Sequence, residues 1–259
     1  MAKRPKISKE EPINGVMVIR LQNWKYFYRF VTQELVNFPG YCFRGQSNSE
    51  WKLENTLDRL RKKSKVLIRE EYHLDAFKYA ARGRRNGSLN ELSENDWWSL
   101  GQHYGLATPL LDFTRSPYVA LYFAFSEESS ADYRAVYAVH MSTLLDLKKH
   151  AKEKEEKFVD IFTPLTEENH RLINQAGLFV RLPPETILDE WVQKKFSGDR
   201  SKEAVLIKML IPNRMVEECL IHLNRSNINH LTLFPDLMGA SEHANMQSAI
   251  NKYDTLGLI

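Results

Sequence analysis

Cysteine is nearly absent from this chain: only Cys42 and Cys219 occur in 259 residues, both in apolar surroundings. That excludes a disulfide framework and makes a reducing compartment the natural one, with both thiols buried. No apolar run reaches the roughly 20 residues that cross a bilayer, and the opening MAKRPKISKEEP lacks the apolar core of a signal peptide. A soluble, cytoplasmic protein without a membrane partner is expected. Also missing are a Gly-rich phosphate loop ending in Lys-Ser/Thr, a GxSxG elbow, and a GxGxxG turn between strand and helix. Kinase, hydrolase and dinucleotide-fold readings fall with them. Cys219 and His222 stand three apart with no second pair at matching spacing, so no zinc site is expected. Neither an internal repeat nor a low-complexity linker interrupts the chain.

What is present is ordinary in amount. Apolar residues make up 43% and charged residues 27%, enough for one main domain with a sizeable core. The formal charge of +3 fits a nucleic-acid or nucleotide partner without requiring one. Residues 1–20 read as a polar, flexible terminus, and 21–259 as a single domain. Helical spacing marks residues 23–37, through Trp24, Phe27, Phe30, Val31 and Leu35, and residues 65–82; a further helix carries Trp97, Trp98 and Leu100. Strands are predicted at Tyr41–Phe43, Ala135–Val139, Gly177–Leu182 and Ala204–Ile211, the last as the clearest central strand. The charged run Lys148–Lys157 reads as a solvated face, and a helix closes the chain after Pro235-Asp236.

The most informative stretch is residues 101–125, GQHYGLATPLLDFTRSPYVALYFAF, where polar side chains interrupt what otherwise reads as core. It divides into an apolar run at Leu110-Leu111, a polar turn over Asp112–Arg115, and an apolar helix over residues 116–127. Ser116 as N-cap with Pro117 in the first helical position is a helix-start signal. Free backbone N–H groups and the positive end of the helix dipole at such a start suit an anion.

Three separated motifs then carry a resemblance. Phe43-Arg44-Gly45-Gln46, Gln102-His103-Tyr104-Gly105-Leu106 with Thr108, Leu110-Leu111-Asp112 and Thr114, and Arg171 with Gln175, Gly177 and Phe179 look like the FRG-domain family. Leu233–Leu237 with Gly239 resembles its C-terminal signature, so the match covers roughly residues 40–240. Pro109, Phe113 and Met238 depart from the usual pattern. The motif order is in turn similar to that of ADP-ribosyltransferases, with Arg44 in the first-strand role and Thr114–Pro117 in the segment that supports the nicotinamide-ribose end of NAD. The late Glu of that fold has no match here; Gln175, Glu185 and Asp236 stand as substitutes.

The resemblance implies an α+β fold with a split, mostly antiparallel sheet and flanking helices. It implies NAD-dependent ADP-ribosyl transfer to a macromolecule, RNA or DNA included, in a bacterial toxin or antiphage effector with an antitoxin or regulatory protein as partner. Arg44, His103, Asp112, Gln175 and Asp236 become the catalytic candidates. Arg44, Gly45, Gln102, Thr108, Thr114, Ser116 and Phe179 become contacts to NAD. Cleaving the N-glycosidic bond of NAD passes through an oxocarbenium-like state that needs a clamped diphosphate and a nearby carboxylate, and an Arg fork suits phosphate or ribose.

Each of these residues has a second reading. Asp112 is either a turn-fixing carboxylate or a chemical one, since a buried charge is normally paired. His103 lines a cleft or bonds a carbonyl. Thr114 and Ser116 cap the helix, touch the cofactor, or do both. Arg44 and Asp112 either serve a cleft or form a buried ion pair in a purely structural motif. The loop Arg82, Arg84 and Arg85 is a solvated surface or a phosphate-backbone contact, and Trp97 and Trp98 are core residues or a base-stacking pair. A non-catalytic nucleotide or nucleic-acid sensor is the alternative function.

Overall fold

A computed structural model describes residues 5–37, 39–84, 92–150, 158–164, 170–198 and 203–250. Its centre is one eight-stranded sheet in the order β1-β2-β8-β5-β3-β4-β7-β6. The strands are β1 (Ile7–Lys9), β2 (Val16–Leu21), β3 (Tyr41–Gln46), β4 (Leu110–Thr114), β5 (Tyr133–His140), β6 (Asp160–Phe162), β7 (Gly177–Arg181) and β8 (Leu206–Pro212). Every pairing is antiparallel except β2 with β8. The mixed α and β, mostly antiparallel architecture expected from the sequence is therefore found. Residues 1–20 are not simply a frayed end: β1 and β2 extend the sheet beyond β8, with Ile19 fully buried.

The sheet is joined across its middle by a single residue pair. β3 pairs with β5 along its whole length and β4 with β7 along its whole length, but β3 meets β4 only at Phe43 and Thr114. Beyond that pair the two strands diverge, opening a wedge between Arg44–Gln46 on one side and Asp112-Phe113 on the other.

Two sequence expectations change here. The strand predicted at residues 41–43 runs on to Gln46 and so includes Arg44 and Gly45. Likewise Asp112 and Thr114 belong to β4 and not to a turn. The reason is local: Leu110, Leu111, Phe113 and Thr114 are all buried, and the Asp112 side chain alone is 66% exposed, beside the gap between β3 and β4. A polar residue at that place needs no turn when its side of the strand is wet.

Helices cover both faces. On one face α1 (Trp24–Phe30), continued by a π-helical turn Val31–Leu35, α5 (Pro117–Phe125) and α9 (Val216–Arg225) enclose a core of Phe27, Phe43, Tyr122, Phe125 and Ile207. On the other, α6 (Met141–His150) and α8 (Leu188–Lys195) cover Cys42, Leu111, Tyr137 and Val180. A third cluster joins α2 (Thr56–Lys63), α3 (Glu70–Ala81) and α4 (Glu94–His103) through Leu57, Leu74, Trp97 and Trp98. Both tryptophans are thus core residues, and the base-stacking reading of them ends. Three further helices complete the described residues: α7 (His170–Asn174), α10 (His230–Leu233) and α11 (Leu237–Ile250).

Other expected boundaries shift. The helix expected over 65–82 starts at Glu70, and Val66 and Leu67 lie exposed before it. α2 escaped sequence reading because Leu57 and Leu60 are its only apolar positions, too few for a stripe; Asn55 starts it, its side-chain Oδ1 accepting from Asp58 N–H at 2.7 Å. Of the charged run 148–157, only Lys148–His150 falls within the described residues, at the end of α6. Cys42 and Cys219 are free and buried, and burial pushes both thiols up.

α5 sits close on β3 because small residues meet there. Gly45 faces Ala120 and Ala124, and a methyl group built on it would fall 1.9 Å from the Ala120 carbonyl oxygen and 2.6 Å from the Ala124 nitrogen. The C-terminal end of α5 is closed by Arg134, which is 2% exposed. Its Nη1 donates to the carbonyls of Ala124 and Glu127, and its Nε to Asn213 Oδ1 at 2.8 Å. A cation among the last carbonyls of a helix satisfies groups that have no partner within the helix.

Candidate functional site

The wedge between β3 and β4 opens into a cavity of about 460 Å³. Arg44 reaches across the gap: its Nη1 donates to the Asp112 main-chain carbonyl at 2.7 Å and lies 3.8 Å from the Asp112 carboxylate. In the register set by Phe43 and Thr114, that carbonyl would face Gly45; where the strands part, a guanidinium takes the place of a ladder bond. Asp112 is steadied from the other side by Gln102 at the end of α4, whose Nε2 donates to Asp112 Oδ1 at 2.7 Å. Gln102 in turn accepts from the Thr108 hydroxyl. A chain of contacts therefore runs Thr108–Gln102–Asp112–Arg44.

The β3 wall of the cavity ends in polar groups without partners. Arg44 Nε, Gln46 Oε1 and Ser47 Oγ are all buried and make no hydrogen bond, although Gln46 and Ser47 are only 7% and 2% exposed. Orphaned buried donors and acceptors are costly, and three of them lining one hollow point to a polar ligand that would satisfy them. Burial draws the Arg44 guanidinium below its usual range; the Asp112 carboxylate opposes this, and the charge of Arg59 adds to it. Arg59 and the half-exposed Trp51 stand on the same cavity.

The far wall comes from the second half of the chain. Arg171 on α7 donates through Nε to Asp236 at 2.7 Å, and its guanidinium lies 5.3 Å from the centre of the Phe234 ring. The Gly239 N–H and Arg171 together hold the Asp236 carboxyl below the usual carboxylate range. Gln175 is fixed at both ends: its amide donates to the Leu233 carbonyl at 3.1 Å, and its own carbonyl accepts from the Thr114 hydroxyl at 2.6 Å. Glu127, exposed beyond the end of α5, is the second carboxylate on the cavity besides Asp112.

The structure thus brings together Arg44, Gly45, Gln102, His103, Asp112, Thr114, Gln175 and Phe179 from the residues expected on sequence grounds. Thr108 is fully buried behind Gln102 and positions it instead of lining the cavity. Ser116 caps α5, accepting from Val119 N–H at 3.3 Å, and does not reach the cavity. Asp236 stands behind Arg171, and Glu185, in a left-handed backbone conformation, is outside the lining as well. The anion expected at the start of α5 has little to bind. The N–H groups of Arg115 and Ser116 already donate to the Ala176 carbonyl and the Thr114 hydroxyl. The Arg44–Asp112 pair lies in the cavity with Asp112 exposed, so it is not a buried ion pair remote from a cleft. Arg82 and Arg84 are exposed at the end of α3, and Arg85 lies outside the described residues.

Sequence reasoning took Gln46 and Arg171 as motif positions without giving them a place in the site, and did not place Ser47, Trp51, Arg59 or Glu127 there at all. Gln46 was within reach, since residues i and i+2 on a strand share a face and Arg44 was already in hand. Arg59, Trp51 and Glu127 have no local signal; only the folding of separate segments onto one hollow reveals them.

With the geometry established, comparison with known proteins bears on one part of it. Residues 39–133 match the family model described as FRG domain. This FRG segment supplies β3, α4, β4 and α5, hence Arg44, Gln102, His103 and Asp112, whereas Arg171, Gln175 and Phe234 come from the chain beyond it. No curated protein and no solved structure matches the chain. No helix among the described residues is long and apolar enough to cross a membrane.

His103 carries a pH prediction. Burial, followed by the Arg171 charge, pulls its pKa below the ordinary value, with Asp236 acting the other way. His230, on α10, is lowered by burial as well. Below about pH 6.5 the unfolded chain takes up these protons while the folded one resists, so folding stability falls as the pH drops from about 6.5 toward the folded-state values. Chemical denaturation at pH 7.5 and pH 5.5, with an NMR titration of the His103 ring, checks this. A His103 midpoint at or above about 6.5 contradicts it.

Proposed function

We propose that the wedge binds NAD and that the chain transfers its ADP-ribosyl group to a macromolecular acceptor, RNA or DNA being the favoured class. The observation that carries this reading is the buried set Arg44 Nε, Gln46 Oε1 and Ser47 Oγ, left without partners on a cavity with Arg59 and Arg171 at its margins. Donors of this kind suit a ligand bearing phosphate and ribose oxygens, and about 460 Å³ lies within the ordinary range for small-molecule sites. The ADP-ribosyltransferase likeness of the motif order supports the same choice of ligand.

In the reaction, the bond between nicotinamide nitrogen and ribose C1 breaks and its electron pair leaves with nicotinamide. An oxygen or nitrogen of the acceptor bonds to C1 and gives up its proton. Arg44 holds ribose or phosphate oxygens; Gln102 and Arg44 orient Asp112, whose carboxylate, or that of Glu127, stabilises the positive charge developing on the sugar. His103, kept neutral by its surroundings, accepts the proton released by the acceptor. The toxin or antiphage setting, with an antitoxin or regulatory partner, belongs to the same proposal.

One observation favours a second reading. Both carboxylates on the cavity are exposed, and Asp112 is already engaged by Gln102 and Arg44. A non-catalytic sensor would bind NAD without cleaving it. Mass spectrometry after incubation with NAD and RNA, DNA or protein separates the two: transfer gives released nicotinamide and a mass gain on the acceptor. Asp112→Asn or Glu127→Gln is expected to slow release at least about 100-fold. Binding without release establishes the sensor, and neither binding nor release ends both readings.

A further inference from the structure

The chain concentrates its positive charge on α2 and on the residues flanking α3, while α3 itself, with Glu70, Glu71, Asp75 and Lys78, is net negative. Residues 59–84 hold nine basic and three acidic residues, a net +6 in a chain whose total is +3, so the remainder is net negative. Part of this charge is used internally. Arg61 bonds Asp58 and the Ile68 carbonyl, Lys62 pairs with Glu54, and Lys78 pairs with Asp75 at 3.1 Å. Lys63, Lys65, Arg69, Arg82 and Arg84 make no ion pair among the described residues.

Two flat rings stand among those free cations. Tyr72 and Tyr79 are 67% and 70% exposed, although α3 packs its other side through Leu74 and Phe77 against Trp97 and Trp98. Seven residues apart, they share one face of the helix about 10 Å from each other along its axis. Arg69, the residue before α3, lies 5.9 Å from the Tyr72 ring centre, and Arg82, just past its end, 3.6 Å from that of Tyr79. The core has no use for either ring.

We infer that the α2–α3 face is a docking track for single-stranded nucleic acid, with bases stacked on Tyr72 and Tyr79 and phosphates held by Arg69, Arg82 and Arg84. Two rings flanked at either end by guanidinia suit a strand whose bases offer faces and whose backbone offers charge. An acidic peptide uses the cations alone and leaves the rings idle. Arg59, on the α2 helix that shares a buried cluster with α3, lies on the cavity. That the docked strand is also the acceptor rests on the proposed transfer; the docking itself does not.

The test is fluorescence anisotropy of labelled oligo(U) and oligo(dT), each about 15 nucleotides long, with the whole chain, no NAD, and a salt series. Both tyrosines are exposed, so Tyr72→Ala and Tyr79→Ala are expected to keep the wild-type melting temperature. Each is expected to weaken binding at least about fivefold with the salt dependence unchanged. Arg69→Ala and Arg82→Ala are each expected to flatten the salt dependence by about one ion. The RNA and DNA arms say which strand is preferred. Absence of binding to both, or binding indifferent to the tyrosines, overturns the inference. So does a preference for anionic phospholipid vesicles that is lost when the exposed Val66 and Leu67 are made serine. Because NAD is absent, failure here leaves the reading of the cavity standing, and oligonucleotide binding here combined with no nicotinamide release in the separate incubation with NAD defeats the transfer while sparing the track.

Discussion

Arg44→Lys is expected to reduce nicotinamide release by at least about 100-fold while leaving the protein folded. Lysine keeps the charge, and that makes it the informative replacement. A guanidinium has five donors in a fixed plane; here one spans the wedge to the Asp112 carbonyl at 2.7 Å and another, Nε, is buried without a partner. An ammonium is a single point on a flexible stem. It can satisfy the carbonyl or the ligand, not both at once. The lost bridge costs the fold about 1 kcal/mol, because Phe43 and Thr114 still join the strands and β3 and β4 keep their other neighbours. Nicotinamide release and thermal unfolding measured on the same preparation check both halves of the expectation. Full turnover in the lysine variant would show that charge alone suffices and would remove Arg44 from the role given to it.

Gly45→Ala is expected to be the most destabilising single-methyl substitution at this site, costing about 3 kcal/mol or more and lowering the melting temperature by roughly 6–12 °C. The cause is contact, not backbone strain. The added methyl would meet the Ala120 carbonyl oxygen at 1.9 Å and the Ala124 nitrogen at 2.6 Å, both main-chain atoms of α5 that no rotamer change can move. Relief requires α5 to lift from β3, and α5 carries Val119, Leu121 and Tyr122 into the core of that face. Differential scanning calorimetry reads the shift. A melting temperature within about 2 °C of wild type would mean that α5 is free to slide, contrary to its packing.

The helix start at Ser116-Pro117 was legible because capping chemistry is local: hydroxyl, proline and N–H groups lie within four residues. Strands β5, β7 and β8 were legible because each is buried along most of its length and rich in apolar residues. β2 was not, since Val16–Leu21 follows a charged start and its burial depends on β8, about 190 residues later. The strand character of Asp112 was hidden for a related reason. A polar residue between Leu111 and Phe113 signals a turn unless the partner strand is known to part from it.

Composition and short-range pattern were enough for a mixed α and β class, the free thiols and the capped start of α5, and the family resemblance grouped Arg44, Gln102, His103 and Asp112. Those features depend on chemistry within a few positions of one another, or on motifs carried by the FRG segment. The tertiary structure alone decided that the sheet is held across its middle by one pair, that the resulting wedge is a cavity, and that Arg59, Glu127 and Arg171 stand on it. It also moved Thr108, Ser116 and Asp236 out of the lining. Sequence periodicity reports which face of an element is dry; where two strands separate, and what gathers at the opening, depends on contacts between residues far apart in the chain.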